Sequence, residues 1–288
     1  MNYRVTGIVI GIFTGFFSGM TGVGGGAILV SLMVNFMAMT QHKAHGTSLA
    51  VIILGSLFSA IGYAMPYLTN DPAAFKYDPQ LAMQLIPTLA FASMFGVVLG
   101  AKIMTTLPSK QLRRLFGVFL FFVAASALLR SASDYIPGLA FASPPAQATI
   151  WAWPAWIVLG FIAGVFSGIL GIGGALVMVP IMTIGAGIEQ HMTQGITLAV
   201  ICITTLTGGY THYKLGNVDL KATVAIAPAA AIAGFITSRY IATQISTPWL
   251  TLVFGLAMLY FSYQFTFTVT RPRAAAPGDA ASQAPATR

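Results

Sequence analysis

The chain has 288 residues, of which 57% are hydrophobic and only 7% are charged, and its mean hydropathy is +0.82. Soluble globular proteins carry about 25% charged residues, so a water-soluble protein and a disordered one are both excluded, and a lipid bilayer is the expected solvent. The net charge of +8 does not indicate nucleic-acid binding, because the basic residues stand at the ends of apolar runs. The single cysteine, Cys202, excludes an intramolecular disulfide framework.

Eight apolar runs follow one another along the chain, where a transmembrane helix needs about 20 such residues. The runs are 3–39, 46–68, 81–104, 112–129, 151–188, 195–213, 220–242 and 249–269. The first and fifth are too long for one helix, and glycine clusters break both near the middle. The sequence therefore predicts an all-α polytopic membrane protein, divided into a first membrane repeat (1–130), a connector (131–149), a second membrane repeat (150–270) and a disordered tail (271–288).

The second half of the chain repeats the first. When the sequence is shifted by 149 residues, 11–53 aligns without gaps on 160–202, with 17 identities in 43 positions. The identities include glycines in register and a Gln-His pair, which shared membrane composition does not explain. We therefore predict an internal duplication, as is common in secondary transporters.

Each repeat begins with two apolar pieces separated by glycines. Each piece is expected to be about 15 residues, or roughly 22 Å as helix, which is shorter than a hydrocarbon core of about 30 Å. If all eight runs cross, the 14 basic residues divide 8 to 6 between the two faces, whereas two re-entrant hairpins divide them 11 to 3. Because positive residues collect on the cytoplasmic side, the sequence favours two hairpins, six crossings, inverted repeats and cytoplasmic termini. This arrangement requires Arg4 and Lys43 to lie on the same side.

The glycine clusters predict an anion site. Each is followed by a helix, starting near Gly25 and near Gly174, whose first N–H groups have no internal partner and carry partial positive charge. Glycines allow a ligand to approach this backbone closely. The predicted substrate-binding residues here are Ser18, Thr21, Gly22, Gly24, Gly25, Gly26, Ser167, Gly171, Gly173 and Gly174. The alternative is close helix packing, which we assign to Gly11, Gly15, Gly19, Gly160, Gly164 and Gly168.

A second repeated motif begins a helix in each half, at 41–48 and 190–197. Its hydroxyl residues Thr47, Ser48 and Thr197 are helix caps or further donors to the anion. His42 and His191 are candidates for coupling transport to protons, since histidine titrates near neutral pH. No cluster of Cys, Asp or Glu accompanies them, so we expect no metal, no cofactor and no catalytic residue.

The acidic residues also favour an anion. All six lie at the ends of apolar runs or in loops: Asp71, Asp78, Asp134, Glu189, Asp219 and Asp279. A cation carrier or a carboxylate proton relay usually places an acid inside the membrane.

The sequence resembles the TauE/SafE family of membrane permeases. The resemblance rests on the doubled glycine motif, 18–26 and 167–174, and on the helix start at 46–49, and it covers both halves. The family implies transport of sulfur-containing anions such as sulfite, thiosulfate or an organosulfonate, with export as its namesake role, in a bacterial inner membrane. The second half departs from the first, with Ala175 in place of Gly26, so the first half is expected to supply more ligand contacts.

We expect a secondary transporter that moves a small anion by alternating access around a midplane site. A passive anion channel and an importer of the same anions remain open. A membrane-embedded enzyme and a cation permease are disfavoured, because neither intramembrane acids nor metal clusters are visible in the sequence. The expected partners are the anionic substrate and the lipid bilayer, with no nucleic acid.

Overall fold

The fold is helical throughout the part of the chain that a computed structural model describes, residues 3–69, 78–104, 109–133 and 153–267. The first repeat contains α1 (Tyr3–Thr21), α2 (Gly26–Phe36), α3 (Gln41–Leu68), α4 (Pro79–Ile103) and α5 (Ser109–Ser133). The second contains α6 (Trp153–Leu170), α7 (Ala175–Pro180), α8 (Gln190–Lys214), α9 (Leu220–Ile236) and α10 (Thr247–Phe267). The all-α prediction is confirmed. The predicted disordered tail and most of the predicted connector lie outside the described residues.

The first two helices of each repeat form a hairpin. A methyl group on Gly25, at the start of α2, would lie 2.7 Å from the Thr14 carbonyl oxygen of α1. The equivalent methyl on Gly174 would lie 2.7 Å from the Ala163 carbonyl oxygen of α6. In both repeats the second arm therefore turns back against the helix that precedes it, as the sequence predicts.

The starts of α1 and α3 lie at the same end of the bundle, as the hairpin arrangement requires. The Tyr3 hydroxyl donates to Asp219 Oδ2 (3.4 Å), and the backbone N–H of Asp219 donates to Thr47 Oγ1 (2.9 Å). Asp219 is the N-cap of α9, so α1, α3 and α9 all begin here. Arg4 and Lys43 are in the first turns of α1 and α3, and this places them at one end.

The expected length of the hairpin arms is wrong. We expected pieces of about 15 residues, but α1 has 19 and α6 has 18, which is roughly 28 Å of helix. In the described part of the chain six helices are long and apolar enough to cross a membrane: α1, α3, α4, α6, α8, and α9 with its continuation to Gln244. The helices extend further because the turn itself takes up only the four residues 22–25 or 171–174.

The glycines assigned to packing bring helices of opposite repeats together. α1 packs on α9, and α6 packs on α4. A methyl group on Gly15 would lie 2.3 Å from the Ala230 carbonyl oxygen, and one on the equivalent Gly164 would lie 2.3 Å from that of Ser93. At these distances only hydrogen fits, so the two backbones are in direct contact. Small residues permit this kind of approach in membrane helices.

The two equivalent helices α3 and α8 cross the centre in opposite directions. Gly46 at the start of α3 lies against Asn217 beyond the end of α8, while Tyr63 near the end of α3 contacts Gln194 in the first turn of α8. An antiparallel course of equivalent helices is what inverted repeats require. Inversion across a membrane stays a prediction.

Candidate functional site

Two glycine turns, 22–25 and 171–174, join the arms of the hairpins. Three glycines in each have positive φ: Gly22 (71°), Gly24 (76°), Gly25 (68°), Gly171 (66°), Gly173 (82°) and Gly174 (85°). L-residues with a side chain rarely adopt this left-handed region. Apart from Gly26, the glycines predicted for a ligand site are therefore required by the backbone of the turn itself.

Helical segments begin directly after both turns. Gly25 and Gly174 are the N-cap residues of α2 and α7, and neither helix has a side-chain cap. α7 continues without a break into a π-helical turn, Ile181–Gly185, so both segments are 11 residues long. The first N–H groups of each segment are aimed toward the turn that precedes it.

The two turns are in contact with each other near the centre of the bundle. A methyl group on Gly26 would lie 2.7 Å from Ile172 Cα and 2.8 Å from the Gly171 carbonyl oxygen. Ile201 contacts the Cβ positions of both Gly24 and Gly173, at 3.5 Å and 2.8 Å. Ile201 comes 11 residues after the start of α8, or roughly 16 Å along the helix, which is about half of a hydrocarbon core of about 30 Å.

Each turn is held by a hydroxyl from the opposite repeat. The Ser48 hydroxyl of α3 donates to the Gly171 carbonyl oxygen (3.0 Å). The equivalent Thr197 hydroxyl of α8 lies 3.2 Å from the Gly22 carbonyl oxygen and shares its hydrogen with carbonyls of its own helix. Both residues were predicted to be helix caps or donors to an anion. Their contacts give them a role in positioning the turns, and donation to an anion stays a prediction.

Replacing Ser48 by alanine and Thr197 by valine should loosen the turns. Each change removes a hydrogen bond between the repeats, with a net contribution of about 1 kcal/mol. We expect the melting temperature in detergent to fall with each change and to fall further in the double variant. Thr211→Val is the matched control, because that hydroxyl donates only within α8, to the Thr207 carbonyl oxygen. A double variant as stable as this control would contradict the positioning role.

Two other predicted hydroxyls, Ser18 and Ser167, are at the turns and make no hydrogen bond with any described residue. Their side chains are 2% and 0% exposed. Ser18 Cβ lies 3.5 Å from the Cβ position of Gly25, so this hydroxyl borders the first turn. Buried polar groups without a partner are rare and costly, and the described residues do not account for these two hydroxyls.

The remaining predicted hydroxyls are engaged elsewhere. Thr21 is at the end of α1, but its hydroxyl donates to the Phe17 carbonyl oxygen (2.7 Å). Thr47 accepts the backbone N–H of Asp219 at the end of the bundle where α9 begins. The structure therefore brings Ser18, Ser167 and both glycine turns together, with Ser48 and Thr197 supporting them. Substrate binding by these residues stays a prediction.

The two repeated histidines differ in environment. His42 is exposed in the first turn of α3. His191 is buried, with Nε2 3.2 Å from the Ala242 carbonyl oxygen and 3.0 Å from that of Ile245. These contacts connect the start of α8 to the end of the α9 segment. Proton coupling by either histidine stays a prediction.

Sequence reasoning missed a set of polar residues that anchor the helix ends beside the turns. His45 Nδ1 lies 2.7 Å from the Leu170 carbonyl oxygen of α6, and the equivalent Gln194 donates from Nε2 to the Met20 carbonyl oxygen of α1 (3.3 Å). Tyr63 donates to the Gly19 carbonyl oxygen (2.8 Å). The sequence does offer one signal for Tyr63, because the shift of 149 residues aligns it with another polar residue, His212. His212 is fully buried.

The acidic residues of the described part are all at helix starts. Asp78, Glu189 and Asp219 are the N-cap residues of α4, α8 and α9. The Asp78 and Asp219 carboxylates accept backbone N–H groups of the first turn that follows each of them.

A family model described as "Sulfite exporter TauE/SafE" matches residues 2–127 and 156–287. The chain belongs to the TauE/SafE family. Both matched segments include a hairpin, a glycine turn and the helices that follow, so the family covers the whole duplicated unit. No solved structure matches the chain.

Curated relatives carry the same broad description. The chain is 24% identical over 275 residues to the "Probable membrane transporter protein YunE" of Bacillus subtilis, covering 90% of this chain and 96% of that one. It is 26% identical over 217 residues to the "Probable membrane transporter protein MJ0441" of Methanocaldococcus jannaschii, covering 74% and 73%. This TauE/SafE protein is accordingly a multi-pass membrane transporter, and its relatives are not named as enzymes.

Proposed function

We propose that this TauE/SafE protein transports a small sulfur-containing oxyanion, such as sulfite, thiosulfate or an organosulfonate, and that the anion binds between the two glycine turns. Export, an inner-membrane location and cytoplasmic termini are part of the proposal. The observation that carries it is the pair of buried hydroxyls, Ser18 and Ser167, that have no partner among the described residues.

The chemistry around these hydroxyls suits an oxyanion. The helical segments after Gly25 and Gly174 begin without side-chain caps, and helix starts attract negative charge through their free N–H groups and dipole. Sulfonate and sulfite oxygens accept several hydrogen bonds at once. A cation would find no carboxylate in the described residues around the turns.

Binding requires the turns to separate. Gly26 and Ile172 are in van der Waals contact, and the side chains of Ile52 and Ile201 pack on the same turn residues. An anion placed between the turns has to move them apart, while the hydrogen bonds from Ser48 and Thr197 keep each turn attached to the opposite repeat. Alternating access fits this geometry, because the contact that closes the site is also the contact that a ligand replaces.

A flux screen tests the proposal. The purified protein is reconstituted into liposomes, and these are loaded with sulfite, thiosulfate, sulfate, taurine or sulfoacetate. Release of the solute is then measured over a range of concentrations. We expect saturable transport of at least one sulfur oxyanion, in the micromolar to millimolar range typical of specific sites. Equal indifference to all five solutes would overturn the proposed substrate class. Flux that never saturates would indicate a channel.

A further inference from the structure

A cavity lies at the start of α8, apart from the glycine turns. Its volume is about 200 Å³. The polar side chains that line it come from the end of the second hairpin, the start of α8 and the first turns of α10: Thr183, Glu189, Gln190, Thr247 and Thr251. A cavity of this size holds a small polyatomic ion.

Two buried polar groups in the first turn of α8 are without partners among the described residues: Gln190 Nε2 and Thr193 Oγ1. Gln190 lines the cavity and is 3% exposed, whereas Thr193, three residues further along the helix, is fully buried behind the lining. An unpaired buried donor costs stability. An amide N–H₂ group is satisfied by an acceptor, so the ligand of this cavity has to present acceptor atoms.

Two long helices begin at the cavity and favour an anion there. α8 begins at Gln190 and α10 at Thr247, and the side chain of the α8 N-cap residue, Glu189, makes no capping hydrogen bond. The N-terminal ends of both helices therefore add partial positive charge to the donors that line the cavity.

Glu189 is the one charged side chain in the cavity lining. Its side chain is 41% exposed, and its Oε1 atom lies 3.4 Å from His191 Nδ1 and 3.5 Å from Thr247 Oγ1. Because the Glu189 carboxylate is partly exposed, solvent screens its charge more effectively than it screens the dipoles of the buried donors. The Gln190 donor and the two helix starts favour an anion, and Glu189 weakens its binding.

One face of α8 leads from this cavity to the glycine turns. Gln190, Thr193, Thr197 and Ile201 follow at intervals of three and four residues, which places them on the same helix face. Thr197 contacts the Gly22 carbonyl oxygen, and Ile201 packs on Gly24 and Gly173. From Gln190 to Thr197 the distance is roughly 10 Å along the helix.

We propose that this cavity is an outer oxyanion site, at the end of the bundle opposite Tyr3, from which the transported anion reaches or leaves the site between the turns. The ligand class rests on the proposed function. The location rests on the cavity, on Gln190 and on the starts of α8 and α10.

The experiment uses the single cysteine of the chain. Cys202→Ala gives a cysteine-free background, and Thr251→Cys then places a thiol in the cavity lining. The rate of maleimide labelling in detergent is measured with increasing sulfoacetate, and with choline as a cation of similar size. We expect sulfoacetate to slow labelling at least 10-fold at saturation and choline to leave it unchanged. Protection by choline, or by neither solute, would overturn the proposal.

Three variants locate the protecting anion. Gln190→Met keeps the side-chain length and removes the donor, and it should raise the sulfoacetate concentration for half protection about 10-fold. Glu189→Gln should lower it about 5-fold, because it removes a like charge from the lining. Gln244→Met is the control, since Gln244 is exposed at the same end, and half protection should be unchanged.

Different experimental outcomes would contradict the outer site and the proposed transport site. Changing Ser18 and Ser167 to alanine should leave protection of the Thr251→Cys thiol intact, because these hydroxyls are at the turns. If this change abolishes protection while Gln190→Met preserves it, the anion binds at the turns and the outer site is overturned. If no anion is transported in liposomes but protection follows Gln190 and Glu189 as expected, the outer site stands and the proposed function fails.

Discussion

Replacing Ser18 and Ser167 together by alanine is expected to weaken anion binding at least 100-fold and to leave the melting temperature unchanged or higher. A hydrogen bond to a charged group contributes about 1.5–3 kcal/mol, or roughly 10- to 100-fold in affinity. In the structure without ligand neither hydroxyl has a partner among the described residues, so its removal takes away a buried polar group that stabilises nothing.

The measurement is the concentration for half-maximal flux of the best anion from the screen, together with thermal unfolding of each variant. Ser56→Ala is the matched control: this buried hydroxyl donates to the Ile52 carbonyl oxygen of its own helix (2.7 Å), so transport should be unaffected. A double variant of Ser18 and Ser167 with unchanged affinity would remove the main support for a site between the turns.

Gly15→Ala should destabilise the protein severely, while Gly55→Ala should not. A methyl group on Gly15 would lie 2.3 Å from the Ala230 carbonyl oxygen and 2.9 Å from Ala230 Cα. Since both are backbone atoms, α1 has to move away from α9, at a cost of about 3 kcal/mol. The buried Gly55 has only Ala230 Cβ near its Cβ position, at 3.8 Å, and alanine there gains about 1 kcal/mol of helix propensity.

Thermal unfolding can be followed by the reaction of Cys202, which is buried in the native protein, with a thiol-reactive dye. Gly164→Ala should behave like Gly15→Ala, because the equivalent methyl would lie 2.3 Å from the Ser93 carbonyl oxygen. Wild-type stability in either of these two variants would show that the close contact between the opposite repeats is not essential.

The features of the fold that were predictable are those with a local or periodic signal. Apolar runs predicted helices, and the shift of 149 residues predicted two equivalent units. The distribution of basic residues predicted hairpins, and the contacts of Asp219 with Tyr3 and Thr47 place the starts of α1 and α3 at one end of the bundle, as hairpins require. The length of the hairpin arms was underestimated, because glycines with positive φ make a tight turn that the surrounding apolar sequence does not reveal.

The sequence contains no local or periodic signal for the contacts between the repeats. Which helix a glycine stripe packs against depends on the three-dimensional course of both repeats, and a stripe such as Gly7, Gly11, Gly15 and Gly19 has the same appearance for any partner. The hydroxyls of Ser48 and Thr197 looked like ligand donors in the sequence, because the carbonyls that they reach are more than 100 residues away. Within the described ranges, Ser18 and Ser167 combine a predicted role with an unmet hydrogen-bonding capacity.

The exchange of hairpins between the repeats determines which parts of the protein can travel as one body. The backbones of α1 and α9 touch along their glycine stripe, as do those of α6 and α4. A movement that preserves both contacts carries each hairpin arm with a helix from the other half of the gene. Each mobile unit of the transport cycle then contains helices from both repeats. If the two halves were produced as separate polypeptides, each would lack the surface against which its own first helix packs.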